Sequence, residues 1–197
     1  MRLIVRRGLL AAGGTLLAGV VARKYLLAAP ASAPADAAPQ APAGPALQSI
    51  DALKSQPPAA LPSLGFTDAN GTARTLADYA GEGIVLNFWA TWCVPCVAEM
   101  PALDALSRAL AGRRIVVLPV SLDHTGADAV KPFYAGHRIA SLPVLLDVHA
   151  GTMMALKLDG IPTTLVIDRS GREVARVQGP VRWDAAEAPA VIARLVG

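Results

Sequence analysis

The chain has 197 residues, a net charge of +3, 53% hydrophobic residues, two cysteines and three histidines. That is enough apolar material for one core, and too little cysteine for a small scaffold stapled by several disulfides. Five of the 18 basic residues precede Tyr25, so the remainder is slightly acidic and offers nothing that points to nucleic-acid binding.

Arg2, Arg6 and Arg7 stand before an uncharged run from Gly8 to Ala22, which Arg23 and Lys24 close. Charge, apolar run and position describe residues 1–24 as a bacterial export signal or signal anchor. The run is shorter than the ~20 residues that span a bilayer, yet Tyr25, Leu26 and Leu27 extend it if Arg23 and Lys24 snorkel. The stretch near Gly8–Leu27 is therefore read as an anchor kept in the inner membrane, in preference to a signal cleaved near Ala35–Asp36–Ala37. Arg6 and Arg7 followed by Gly8, Leu9 and Leu10 are weakly similar to a twin-arginine signal. An Arg-rich N-terminus held in the cytoplasm puts the rest of the chain in the periplasm.

Residues 25–60 read as an Ala/Pro-rich tether, since alanine and proline dominate as far as Ala46 and show no periodic apolar face. A folded domain is expected over 61–197. Leu64–Thr67 and Thr72–Arg74, with Asn70–Gly71 between them, predict a hairpin, and Thr75 a capped turn reaching Tyr79. Ile84–Ala90 and Ile115–Leu122 are apolar runs of the kind buried on both sheet faces, joined through a helix as a parallel βαβ unit. A helix at Asp128–His137, a strand at Leu142–Leu146 and a short helix at Thr152–Leu158 follow. Thr163–Ile167 and Glu173–Val177 form a second hairpin, and Asp184 is expected to cap a last helix to Val196 with Ile192 and Leu195 on its inner face. The class is α/β, a central mixed sheet flanked by helices.

Both cysteines fall in Trp92–Cys93–Val94–Pro95–Cys96, between the first buried strand and the helix from Val94 to about Ala111. Pro95 suits the first turn of a helix, which puts Cys93 at the N-terminus. Free backbone amides and the positive end of the dipole favour the thiolate there, lowering its pKa below the usual ~8.5. Cys93 is the expected attacking sulfur, at an exposed tip. On a 3.6-residue wheel Cys96, Glu99, Met100, Leu103, Leu106 and Leu110 share one face, with Asp104 and Arg108 off it. Cys96 is then a buried resolving thiol. Glu99, one turn on, is a buried acid whose pKa should rise and which suits proton exchange with that thiol. Pro101 removes a backbone hydrogen bond within the helix and is expected to kink it. A zinc site would need four ligands, and His124, His137 and His149 show no paired spacing. Trp92 borders any surface that docks at Cys93.

Asn87–Phe88–Trp89–Ala90–Thr91–Trp92–Cys93–Val94–Pro95–Cys96, with Glu99, Met100 and Pro101, resembles the active-site signature of thioredoxin-fold proteins. It is most similar to membrane-anchored thiol:disulfide oxidoreductases of the TlpA type, relatives of ResA and CcmG. Gly160–Ile161–Pro162–Thr163–Thr164 resembles the same family's cis-proline loop, and the likeness covers roughly Leu61 to Val196. It implies a thioredoxin-like fold, a cis bond between Ile161 and Pro162, and substrate contacts at Trp92, Pro95, Ile161 and Pro162. Thioredoxin carries a buried aspartate where this chain has Asn87, a neutral amide that cannot relay protons. Glu99 matches the acid of the TlpA and ResA branch.

The expected chemistry is reductive thiol–disulfide exchange with no cofactor beyond the Cys93–Cys96 pair. The resemblance implies disulfide-containing periplasmic partners, either apocytochrome c or a copper chaperone and the oxidase copper site, with a membrane electron donor. Two rivals stand beside it. One is an oxidase that introduces disulfides in the direction of DsbA, and the other is a copper-binding chaperone using both cysteines and His124.

Overall fold

The computed structural model describes residues 45–197; the signal or anchor at 1–24 and the tether as far as residue 44 lie outside the described residues. Eight strands form one sheet: β1 (Lys54–Ala60), β2 (Gly65–Asp68), β3 (Ala73–Thr75), β4 (Gly83–Trp89), β5 (Ile115–Ser121), β6 (Leu145–Leu146), β7 (Thr163–Ile167) and β8 (Arg172–Gln178). Four helices accompany them: α1 (Val94–Ala109), α2 (Ala127–His137), α3 (Gly151–Ala155) and α4 (Ala188–Val196). The strand order is β1-β8-β7-β4-β5-β6-β2-β3, with β4 and β5 parallel and β7 antiparallel to β4. The mixed α/β sheet expected from the sequence is present.

β4 is buried along its whole length, and its alternation divides the core. Ile84, Leu86 and Phe88 join Leu118, Val120, Leu165 and Ile167 on one face, while Val85 and Trp89 face α1, α2 and α4 on the other. Asn87 shares parity with Val85 and Trp89, so this polar residue points toward the helices. The α1 stripe is buried as the wheel required, from Cys96 through Leu110. Each leucine there contributes roughly 1.5–3 kcal/mol on burial. Among the described residues no helix is long and apolar enough to cross a membrane.

Several boundaries differ from the sequence reading. The stretch assigned to the tether is already structured at its end: Lys54–Ala60 is β1, antiparallel to β8, with a register irregularity between Ser55 and Ala59. Every β1 side chain is exposed, so no apolar periodicity marked it, and Pro57 and Pro58 are tolerated because it is an edge strand. Gln48 is fixed as well, its amide donating to the Pro180 carbonyl and its carbonyl accepting from Arg182 N. The expected strand at Leu142–Leu146 reduces to Leu145–Leu146, and α3 is shorter than anticipated. Asp184 does not cap α4, which begins at Ala188 because Pro189 fits the first turn. Its inner face is Ala188, Ile192 and Val196, with Leu195 only partly buried against the core. Asp104 is buried, accepting from the Ala140 and Ser141 amides at 3.1 and 2.7 Å and from Arg108.

The first hairpin is present as expected, β2 pairing with β3 around a turn in which Gly71 takes a φ of 80°. Gly83 opens β4 where α4 passes closest: a Cβ there would lie 2.7 Å from Val196 Cβ and Cγ2. Gly83→Ala is therefore expected to lower stability by about 1–3 kcal/mol, read from the denaturant midpoint.

Candidate active site

Backbone hydrogen bonds from Cys93 N to Ala90 O and from Leu122 N to Trp89 O shape the loop that leaves β4. Asp123, buried beyond β5, accepts from the Thr91 amide at 3.0 Å, the Thr91 hydroxyl at 2.7 Å and the Ser121 hydroxyl at 2.8 Å. The two Thr91 bonds fix that residue two positions ahead of Cys93, and the Ser121 bond holds the carboxylate that makes them. Nothing in the sequence pattern singled out Asp123, because a carboxylate after a strand looks like any other loop acid.

Cys93 is the N-cap residue of α1 and Pro95 lies in the first turn. Cys93 and Cys96 form a disulfide with a Cα–Cα distance of 5.2 Å, and Cys93 Sγ accepts from Cys96 N at 3.3 Å. Cys96 is fully buried, as its wheel position required. Cys93 is not at an exposed tip in this oxidised form; it is 6% exposed. The Ile161 carbonyl oxygen, 3.8 Å from Cys93 Sγ, covers it. The exposed apolar surface belongs to its neighbours Trp92 and Val94, at 64% and 67%.

The peptide bond between Ile161 and Pro162 is cis. The Pro162 carbonyl accepts from Gly179 N at 2.8 Å, and the Thr163 hydroxyl donates to the Gly160 carbonyl at 2.6 Å, tying the loop to β8 and to itself. Trp92, Cys93, Pro95 and Ile161 thus gather around one patch.

Glu99 lies under that patch with no exposed surface. Its Oε1 accepts from Asn87 Nδ2 at 2.9 Å, and its Oε2 accepts from Val181 N at 2.9 Å and Trp183 Nε1 at 3.1 Å. Burial pushes its pKa up to about 7, and those three donors restrain the rise. Neither sulfur of the disulfide carries a proton, so neither donates to the carboxylate in this state. Trp183 is fully buried and its indole N–H holds the acid.

His124 is exposed, with Nδ1 3.2 Å from the Val148 carbonyl. Among the described residues no three His, Cys, Asp or Glu side chains gather as a metal-holding group.

Comparison with known proteins agrees with this geometry. The family model described as AhpC/TSA matches residues 57–175, a span that includes both cysteines, Glu99 and Pro162 and stops before Val181 and Trp183. The thiol-disulfide oxidoreductase ResA of Bacillus thuringiensis is 30% identical over 118 residues, 60% of this chain and 67% of the relative. ResA of Oceanobacillus iheyensis is 35% identical over 112 residues, 57% of each chain. A Chlorobium tepidum structure assigned as the thiol:disulfide interchange protein DsbE superposes with a TM-score of 0.63 at 26% identity, covering 73% of this chain and all of that one. With its thioredoxin-like sheet and Cys93–Cys96 pair, this chain belongs to the AhpC/TSA family as a thiol-disulfide oxidoreductase related to ResA.

Proposed function

We propose that the protein works in the reducing direction on disulfides of periplasmic partners, held to the inner membrane by residues near Gly8–Leu27. The observation that carries the reading is the division of labour at the N-terminus of α1. One sulfur caps the helix beside exposed Trp92 and Val94, and the other is buried one turn before a buried acid. The Cys93 thiolate attacks a partner disulfide, forming a Cys93–partner bond as the partner's own S–S bond breaks and its leaving sulfur takes a proton. Cys96 then gives its proton to Glu99 and attacks Cys93 Sγ. The internal disulfide forms, the mixed bond breaks, and the second partner thiolate leaves and is protonated. Two electrons pass to the partner, and a membrane dithiol donor returns them, because the periplasm is kept oxidising. No cofactor beyond the cysteine pair enters these steps.

Trp92, Pro95, Ile161 and Pro162 form the substrate surface, on which an extended partner segment pairs with backbone beside Ile161. Apocytochrome c, or a copper chaperone or oxidase subunit with a cysteine pair, fits this chemistry.

The test is trapping. Cys96→Ala leaves the attacking sulfur without its resolving partner, so mixed disulfides on Cys93 are expected to accumulate and to vanish when Cys93 is replaced too. Mass spectrometry of the captured proteins identifies the substrates. The reduction potential is expected nearer that of thioredoxin, about −270 mV, than that of DsbA, about −120 mV. A value at the DsbA end reverses the proposed electron flow.

A further inference from the structure

Every donor and acceptor around Glu99 can be followed, and one atom is left over. Asn87 Nδ2 donates to Glu99 Oε1 and to Thr164 Oγ1, both at 2.9 Å, while Asn87 Oδ1 is buried without a partner among the described residues. The other two groups on the carboxylate are the Val181 amide and the Trp183 indole, which only donate. Three donors suit a carboxylate and conflict with a protonated acid, whose own O–H needs an acceptor. Of the three, only the Asn87 amide has an acceptor to offer.

We infer that Asn87 is a positioning residue whose side-chain amide turns over as Glu99 gains or loses its proton, with the Thr164 hydroxyl reversing its hydrogen bond in step. After half a turn Oδ1 occupies the place of Nδ2, at the same 2.9 Å from Glu99 Oε1 and Thr164 Oγ1. It then accepts from both hydroxyls, and Nδ2 takes the enclosed position of Oδ1. Each arrangement leaves one end of the amide unpartnered, Oδ1 in the first and the two N–H groups of Nδ2 in the second. The groups facing the carboxyl are neutral on every side: Asn87 from β4 with Thr164 of β7 behind it, and Val181 and Trp183 from the segment after β8. The titratable groups on its own helix face are Cys96 and, at the N-cap, Cys93. The amide carries no proton itself; it makes the protonated and ionised acid nearly equally well bonded. That is what a group needs if it is to take a proton from Cys96 and give it up again. The catalytic consequence rests on the proposed role of Glu99, whereas the turning amide does not.

The experiment is side-chain NMR of the full chain through a pH titration. Above the Glu99 midpoint, a coupling across the hydrogen bond from Asn87 Nδ2 to the Glu99 carboxyl carbon is expected. Below it that coupling should disappear, with the Asn87 amide signals moving at the same midpoint. In Glu99→Gln, whose amide is a permanent donor, the Asn87 signals should stay at their low-pH positions throughout. A coupling that persists on both sides of the midpoint, or Asn87 signals in the glutamine variant that match the high-pH form, overturns the inference. The rate at which the mixed disulfide resolves, followed against pH in the same two proteins, tests the role of Glu99 separately. Identical profiles with a turning amide would sink only the catalytic reading, and different profiles with a fixed amide would sink only this one.

Discussion

Replacing Trp183 by alanine is expected to remove about 3–5 kcal/mol of stability, a large fraction of what a domain of this size has. The indole is fully buried in the core that α1 and α4 share with the sheet, so its loss leaves a cavity those helices cannot fill without moving. The same change strips one of three donors from Glu99, which raises the acid's proton affinity further. Trp183→Phe separates the two effects. It keeps most of the packing volume and should regain most of the stability, while still lacking the N–H. Denaturant midpoints read the first effect and the pH profile of mixed-disulfide resolution reads the second. Equal stability losses in the two variants would show that the hydrogen bond, not the volume, dominates at this position.

Stability should also fall as pH rises from about 4.5 to about 7, and one buried acid is responsible. Glu99 holds its proton to about 7 in the folded chain, against an ordinary value of 4.5. Within that window the unfolded chain has released a proton that the folded chain retains, so raising pH favours unfolding. The slope approaches ~1.4 kcal/mol per pH unit and the total is on the order of 3 kcal/mol, levelling off above about 7. Asp68 and Asp168 act in the opposite sense, since their pKa values are lowered from 3.8, but their window lies below that value and does not overlap. Glu99→Gln should flatten the curve between the two limits. A wild-type curve that is already flat there would mean that the folded carboxyl ionises in its ordinary range.

How much of the fold and site is legible in the sequence depends on the range of the signal. The α1 stripe, the two sulfurs and the buried position of Glu99 all follow from spacing within one helix. The buried β4 and β5 were equally plain, because a continuous apolar run has few alternatives. β1 is illegible for the converse reason: a strand with every side chain exposed and two prolines looks like an Ala/Pro-rich linker. Long-range partners were invisible in principle. Val181 and Trp183 reach Glu99 across 82 and 84 residues, and no periodicity in the chain encodes that meeting. The enclosure of Cys93 is equally absent from local pattern, since it depends on a carbonyl 68 residues away.

The seam at Gln48 gives the domain's N-terminal side a bearing on its chemistry. Gln48 is stitched to Pro180 and Arg182, the residues on either side of Val181, and the Val181 amide grips the buried acid. Trimming of the domain back past Gln48 would loosen that grip before it disturbed either sulfur. Gln48 therefore acts as a handle on the proton inventory, and forms of the protein shortened past it are expected to differ in acidity from the intact one.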